Sequence, residues 1–510
     1  MAKEADSILE VFMANAMQQP DKLCLEFEGR QTSYGELSNL VSGFGAGLRQ
    51  WGLKPEDRVA LFMENCPEFV AAYLGTHLAG GVVVLVNTQY KQVELRHILS
   101  DAGVRLCFTD KVKSAEIERV RENLPDLEKV VIIDESESLQ LFLEIKTNYQ
   151  FDWPKDGDEL AIIAYTSGTT GRSKGAMLTH RNLICNALAV CEAWQWTEND
   201  HLLLTLPLFH AHGLMVGLHG TLVKGASASL RRHFQASEVY AELLSSKPTM
   251  FFGVPTMYSR LLAEAAKNAE RPQPLRLYVS GSAPLSPQTF AEFQQIFGQP
   301  ILERYGMTET IMNLTNPFEG EHRPGTVGKP FPGQEARVVD VQTRQPLPAG
   351  GVGEIEVRGP HVFKGYWNRP DATAEVFDPD GWFRTGDLGS LSEDGYYTIS
   401  GRAKELIISG GYNVYPREVE EVLESYPGVL EVAVVGLPDA DLGEQVVAVV
   451  VVRHSPTITA EQLVALCREN LASYKKPRQV YFVESLPRNA LGKIQKHLVR
   501  EQLLSQEKTV

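Results

Sequence analysis

The chain has 510 residues, 43% of them hydrophobic and 22% charged, and a net charge of −15. That length exceeds one hydrophobic core and requires at least two domains, in a composition typical of soluble globular proteins. The acidic balance excludes a nucleic-acid binder of the basic kind, and no apolar run reaches membrane-spanning length.

The opening segment, MAKEADSILEVFMANAM, carries early acids and lacks the apolar stretch of a signal peptide. Six scattered cysteines with no Cys-x-x-Cys pair indicate reduced thiols, neither a disulfide framework nor a zinc site, so a cytoplasmic location is expected. Helical spacing in YGELSNLVSGFGAGLRQWG (34–52) is followed by short β-branched runs: RVALFM (58–63), GVVVLVN (81–87), KVVIID (129–134) and LAIIAYT (160–166). Strands alternating with helices predict an α/β chain with largely parallel sheets.

The last of these strands runs into YTSGTTGRSKG (165–175). Gly168, Gly171 and Lys174 lack Walker A spacing, and GAMLT after Lys174 reads as a second strand. A phosphate loop bridging two strands is expected, with hydroxyls from Thr166, Ser167, Thr169, Thr170 and Ser173 and a charge from Lys174. Taken alone, the segment is also readable as a Gly/Ser surface loop.

LPLFHAHG (206–213) holds His210 and His212, a pair with no third ligand to make a metal site. FFGVPTMYSRLLAEA (251–265) reads as a strand, a proline and a helix carrying Arg260. Gly281, Ser282 and Ala283 in YVSGSAPLS (278–286) allow close approach to a flat ring, or simply turn a strand into a helix. ERYGMTET (303–310) offers the Tyr305 ring, the Thr308 hydroxyl and Glu309 as a hard oxygen ligand suited to Mg²⁺; Thr308 and Glu309 could equally open a helix.

From 325 to 400 the texture becomes turn-rich and β, with Asp387 in a tight turn of WFRTGDLG (382–389). GRAKELIISGGYNVYP (401–416) then opens a strand–helix–strand pattern, and VVAVVVV (446–452) fits a buried strand. The predicted fold is an α/β N-terminal domain (1–400) with a β-rich subdomain, then a small α+β C-terminal domain (405–510), with the boundary in or beside SGRAKE (400–405). LPRNALGKIQK (486–496) places Lys493 in a loop of that second domain.

In order and combination, these motifs resemble the adenylate-forming superfamily of acyl-CoA synthetases, peptide-synthetase adenylation domains and luciferases, over nearly the whole chain. The resemblance implies a two-step reaction: a carboxylate and Mg·ATP give an acyl-adenylate and pyrophosphate, and the thiol of CoA then displaces AMP. It implies that the loop 165–175 holds the β- and γ-phosphates. Tyr305 would stack on adenine, lined by Gly281–Ala283, and Asp387 and Arg402 would bind the ribose. Thr308 would touch the α-phosphate, and Glu309 would hold Mg²⁺. Glu303, Arg304, Gly306 and Met307 belong to the same nucleotide-binding motif. Lys493 would bridge carboxylate and α-phosphate, Lys404 would mark a hinge (401–404) about which a mobile C-terminal domain (405–510) rotates, and Gly410 and Gly411 would face the pantetheine arm of CoA.

GVPTMYSR together with RYGMTETIMN is similar to malonyl-CoA synthetases, which implies that Arg260 holds a distal carboxylate in a pocket lined by His210, Ser282 and Met307. Malonate, or methylmalonate, is the expected acid. A short- or medium-chain fatty or aryl acid with Arg260 turned outward, an amino acid loaded onto a carrier protein, and a non-catalytic nucleotide sensor remain alternatives. A monomer or homodimer is expected.

Overall fold

Ser33 starts the first long helix. Its hydroxyl accepts from the Glu36 N–H at 3.2 Å, and the Glu36 carboxylate accepts from the Ser33 N–H at 2.8 Å, so helix Tyr34–Trp51 has a reciprocal cap. Leu37, Val41, Phe44 and Leu48 recur at helical spacing and are buried against Pro67–Leu78, a helix buried on every side. Each such side chain contributes about 1.5–3 kcal/mol on burial. The computed structural model describes residues 5–134, 139, 156–166, 173–245, 247–410, 412–439, 441–453, 458–489 and 492–507.

These helices cover a seven-stranded sheet in the order Gly365–Tyr366, Lys174–Thr179, Leu160–Thr166, Val82–Leu85, Arg58–Phe62, Val104–Thr109, Lys129–Ile132. The five strands from Leu160–Thr166 onward are parallel; the two before it are antiparallel. Thr166 pairs with Lys174 in that antiparallel ladder, so two paired strands flank the segment 167–172 as expected. Ser167, Gly168, Thr169, Thr170 and Gly171 themselves lie outside the described residues, as does Gly411.

A nine-stranded sheet runs Lys329–Pro330, Leu314–Thr315, Leu302–Tyr305, Leu277–Ser280, Met250–Gly253, His201–Leu204, Ser227–Leu230, Leu23–Phe27, Arg30–Ser33. Its six inner strands, Leu302–Tyr305 through Leu23–Phe27, are parallel. Helix Pro255–Ala265 links two of them and helix Pro287–Phe297 the next two. The segments that leave the carboxyl ends of these strands therefore gather along one edge, the usual ligand crevice of an α/β sheet.

ERYGMTET forms a hairpin loop here, where the residues alone left a helix start open. Ile311 takes φ +58° and reverses the chain, so that Tyr305 pairs with Leu314 and the Asn313 N–H donates to the Tyr305 carbonyl at 2.9 Å. A β-branched residue in the left-handed region is strained, and such strain gathers at functional loops.

Residues 335–402 make a four-stranded antiparallel sheet: Glu335–Val339, Val352–Arg358, Phe383–Leu391 and Tyr397–Arg402. After a short turn, Ala403–Glu405, a further sheet is built from Ile407–Ser409, Tyr412–Val414, Val429–Asp439, Gly443–Val452 and Gln479–Phe482. Its own apolar core includes Ile407, Val419, Leu423, Val434 and Ala448. Among the described residues no helix is long and apolar enough to cross a membrane.

Candidate active site

Four elements converge on Asp387, which is 4% exposed. The Tyr305 hydroxyl, at the end of its strand, donates to Oδ2, and Arg402 Nε donates to Oδ1 at 2.7 Å. Arg402 stands directly opposite Asp387 in the ladder between Phe383–Leu391 and Tyr397–Arg402. Asp387 and burial act oppositely on the Arg402 guanidinium, and the carboxylate prevails, holding its pKa above the ordinary value. Lys493 is within electrostatic reach of the same pair. Burial and the Arg402 charge push its ammonium down, while Asp387 and Glu405 push it up, for a net lowering.

Glu309 is 6% exposed, and burial raises its carboxyl pKa. The Tyr366 hydroxyl donates to Oε1 at 2.9 Å, which favours the ionised form. Tyr366 pairs with Ala176 beside the loop's second strand, and Lys174 Nζ sits 5.0 Å from the centre of its ring. One phenol thus joins Lys174, at the end of the segment expected to hold phosphates, to the acid expected to hold the metal. Sequence reading missed Tyr366: it lies 57 residues from Glu309, with no motif linking them.

The opposite face of strand Leu302–Tyr305 points Arg304 under Gly281. A Cβ on Gly281 would lie 2.4 Å from the guanidinium carbon, so only glycine admits this approach. Arg304 is 4% exposed, burial pushes its pKa down, and neither Nε nor Nη2 has a hydrogen-bond partner among the described residues. His210 and His212 lie within reach of its charge. Burial first and Arg304 second lower His210 to about 4, so the ring is neutral. His212 stacks on Phe252 with ring centres 6.2 Å apart. Next to Gly281, Ser282 holds φ +69°, a second strained residue at the crevice. Met307 and Thr308 are half-buried in the hairpin loop; a Cβ on Gly306 would lie 2.0 Å from the Ile311 carbonyl oxygen.

Two expectations change. Arg260 was placed inside the acyl pocket, but it is exposed and has no ion pair among the described residues. Its helix buries Tyr258, Leu261, Leu262 and Ala265, and position 260 falls outside that stripe. Glu303 was grouped with the nucleotide ligands. Its Oε1 instead accepts from the Gly325 N–H at 3.0 Å, and burial raises its carboxyl to about 8 against the lowering influence of Gly325 and of Arg417 on helix Pro416–Glu424. Ala283 is half-buried beside Ser282; Lys404 is exposed on the turn after Arg402; Gly410 is exposed at the hairpin from Ser409 to Tyr412.

The arrangement suits recognition of an anionic nucleotide beside an acid. Asp387 can accept paired hydroxyls, Glu309 and Lys174 both meet Tyr366, and Lys493 brings a cation from a loop of the C-terminal part. Known proteins point the same way. The family model for AMP-binding enzymes matches residues 12–367, and that for the AMP-binding enzyme C-terminal domain matches 418–493. A malonate–CoA ligase of Arabidopsis thaliana is 34% identical over 99% of this chain and 91% of its own length. A long-chain-fatty-acid–CoA ligase of Bacillus subtilis (strain 168) is also 34% identical, over 98% and 94%. ATP-bound MatB from Rhodopseudomonas palustris superposes with a TM-score of 0.90 at 40% identity, covering 97% of this chain and 98% of that one. With both parts matched and relatives aligned end to end, the chain belongs to the AMP-binding enzymes and is an AMP-forming acyl-CoA synthetase close to the malonate–CoA ligases.

Proposed function

We propose that the protein joins a small acid bearing a second anionic group, malonate first and methylmalonate next, to CoA through an acyl-adenylate. The observation that carries this reading is Arg304, a buried guanidinium with two unpartnered nitrogens under Gly281. An unpaired buried charge is costly, and a carboxylate matches the fork of Arg with two parallel hydrogen bonds. A distal carboxylate on the substrate would supply both, while a fatty or aryl chain would leave the charge unpaired. Methylmalonate follows because one methyl group alters binding by only about 1–3 kcal/mol. Arg260, one helical turn from Thr256, would serve at the mouth of the pocket, with His210, Ser282 and Met307 along its wall.

In the first step the reacting carboxylate displaces pyrophosphate from the α-phosphorus. Asp387 and Arg402 hold the ribose, Tyr305 and Gly281–Ala283 frame the base, and Thr308 and the loop 165–175 hold the phosphates. Lys493 neutralises charge as it gathers between carboxylate and α-phosphate. Glu309 fits Mg²⁺ that arrives with the nucleotide: such ions take one or two carboxylates plus phosphate oxygens, and no group of three His, Cys, Asp or Glu forms a cage among the described residues. The metal would add charge neutralisation at the phosphates. For the second step, residues 405–510 would turn about the hinge 401–404 at Lys404. Lys493 then leaves and the Gly410–Gly411 segment faces the thiol arm, while 1–400 keeps the adenylate.

The test is CoA-dependent AMP formation with equal malonate, methylmalonate, succinate, acetate, octanoate and 4-coumarate. A clear lead of malonate over acetate and octanoate supports the reading. A leading monocarboxylate overturns the choice of acid and leaves the two-step chemistry standing.

A further inference from the structure

Asp387 sits on an irregularity of its sheet. Between strands Val352–Arg358 and Phe383–Leu391, Glu354 pairs with Leu388 and Glu356 with Arg384, so two steps on one strand oppose four on the other. Thr385, Gly386 and Asp387 bulge out together. Bulges of this kind redirect a side chain beside a site. Gly386 takes φ +71°, which a side chain would resist.

Three hydrogen bonds hold the bulge. The Thr385 hydroxyl donates to the Ile355 carbonyl at 2.6 Å and accepts from the Asp387 N–H at 3.0 Å. The Gly386 N–H donates to Glu354 Oε1 at 3.0 Å. The other oxygen of Glu354, a buried carboxylate, is ion-paired with Arg344 Nη1. Among the described residues Glu354 makes no hydrogen bond or ion pair with Asp387, Tyr305 or Arg402, and its link to the site runs through the Gly386 peptide.

We propose that Glu354 is a positioning residue for ribose recognition: anchored by Arg344, its carboxylate pins the Gly386 peptide and fixes the bulge that aims Asp387 at the ribose hydroxyls of ATP. Without that acceptor the Gly386 N–H loses its partner, and a glycine with wide backbone freedom lets the next residue swing. The carboxylate of Asp387 is then still present but no longer aimed. This inference rests on the reading that Asp387 binds the ribose.

The experiment compares ATP with 2′-deoxy-ATP and 3′-deoxy-ATP in the wild type and in Glu354→Ala, Glu354→Gln, Arg344→Met and Asp387→Asn, with thermal melts to confirm folding. Glu354→Ala should raise the KM for ATP about tenfold, the size of one ordered hydrogen bond. Its preference for ATP over the deoxy analogues should fall toward that of Asp387→Asn, with the KM for the carboxylate unchanged. Glu354→Gln keeps an acceptor for Gly386 and should retain most of the preference; Arg344→Met should fall between. If Glu354→Ala does not fold, the last two variants carry the test: Arg344→Met with a full preference for ATP overturns the proposal. So does a Glu354→Ala enzyme that keeps the preference, or raises both KM values alike, or a Glu354→Gln enzyme as impaired as the alanine variant. If Asp387→Asn itself keeps the preference, the ribose reading fails and the proposal with it, an outcome distinct from an intact Asp387 effect with a silent Glu354.

Discussion

Gly492 lies against Thr256: a Cβ built on Gly492 would be 3.0 Å from the Thr256 hydroxyl, and Gly492 itself takes φ +76°. The contact joins the loop that carries Lys493 to the first turn of helix Pro255–Ala265, proposed above to border the acyl pocket. The backbone angle strains any larger residue, and its Cβ would press on the Thr256 side chain. Gly492→Val should therefore unseat Lys493, and a displacement of about 1 Å at a reacting centre costs about 100-fold in rate. Adenylation, followed by pyrophosphate release, should fall by that order, while thiolation of a supplied acyl-adenylate should continue. Equal loss of both half-reactions would count against alternation of the second sheet, as it would for Lys493→Ala.

In the proposed reading two arginines are candidates for the second carboxylate, and their burial separates them. Arg304 is enclosed, with Nε and Nη2 unpartnered among the described residues; Arg260 is exposed. A charged hydrogen bond contributes about 1.5–3 kcal/mol, or roughly 10- to 150-fold in kcat/KM. Arg304→Met should reduce kcat/KM for malonate by that factor while raising acetate relative to malonate, and Arg260→Met should have the smaller effect. The reverse ranking would move the anchor to the mouth of the pocket.

Much of the fold was legible because local chemistry agreed with it. Ser33 and Glu36 announce their helix, and GAMLT is a short, largely buried strand next to the glycine loop. The exposure of Arg260 was legible too: Tyr258, Leu261, Leu262 and Ala265 follow the i, i+3, i+4, i+7 stripe, and Arg260 is off it. Other relationships have no local signature. Tyr366 meets Glu309, and Glu354 meets Gly386, only because distant strands are brought together in space. The enclosure of Arg304 likewise depends on Gly281 and the two histidines, contributed by two other chain segments. Nor does the pattern of ERYGMTET distinguish a hairpin from a helix start; the reversal at Ile311 does.

The Tyr366–Glu309 contact predicts a metal phenotype. Tyr366→Phe removes the only hydroxyl donating to Glu309 Oε1 among the described residues and leaves a buried carboxylate easier to protonate. Groups that orient a metal-binding carboxylate typically contribute 10- to 100-fold to metal affinity, so the half-saturating Mg²⁺ concentration should rise by about that range. A Mg²⁺ titration of adenylation at saturating ATP measures it. An unchanged titration with a lower kcat would mean that Tyr366 serves the loop through Lys174 instead.

Acid should destabilise the large domain before it protonates ordinary carboxylates, because several histidines are buried neutral. Tyr73 OH is 2.9 Å from His219 Nε2, His77 Nε2 donates to the Ala161 carbonyl at 3.1 Å, and the His180 ring meets His77 edge-on at 4.7 Å. Burial lowers His77 to about 4 and His219 to about 3, and holds His180 well down, against an ordinary value of 6.5. Below pH 6.5 the unfolded chain binds protons that the folded chain refuses. Each such group therefore contributes stability that is complete above 6.5 and is lost as pH falls toward 4, at about 1.4 kcal/mol per pH unit. Glu303, Glu309, Glu159 and Glu424 work in the opposite direction, since their raised carboxyls favour the folded state at low pH, but the histidines held down by burial, with His201, His210, His212, His322 and His361 among them, outnumber them. Thermal melts should thus show Tm falling from pH 7 to pH 5, and His180→Phe, which keeps a ring beside His77, should flatten that slope. An identical slope in the variant would show that the ring cluster is not what makes the protein acid-sensitive.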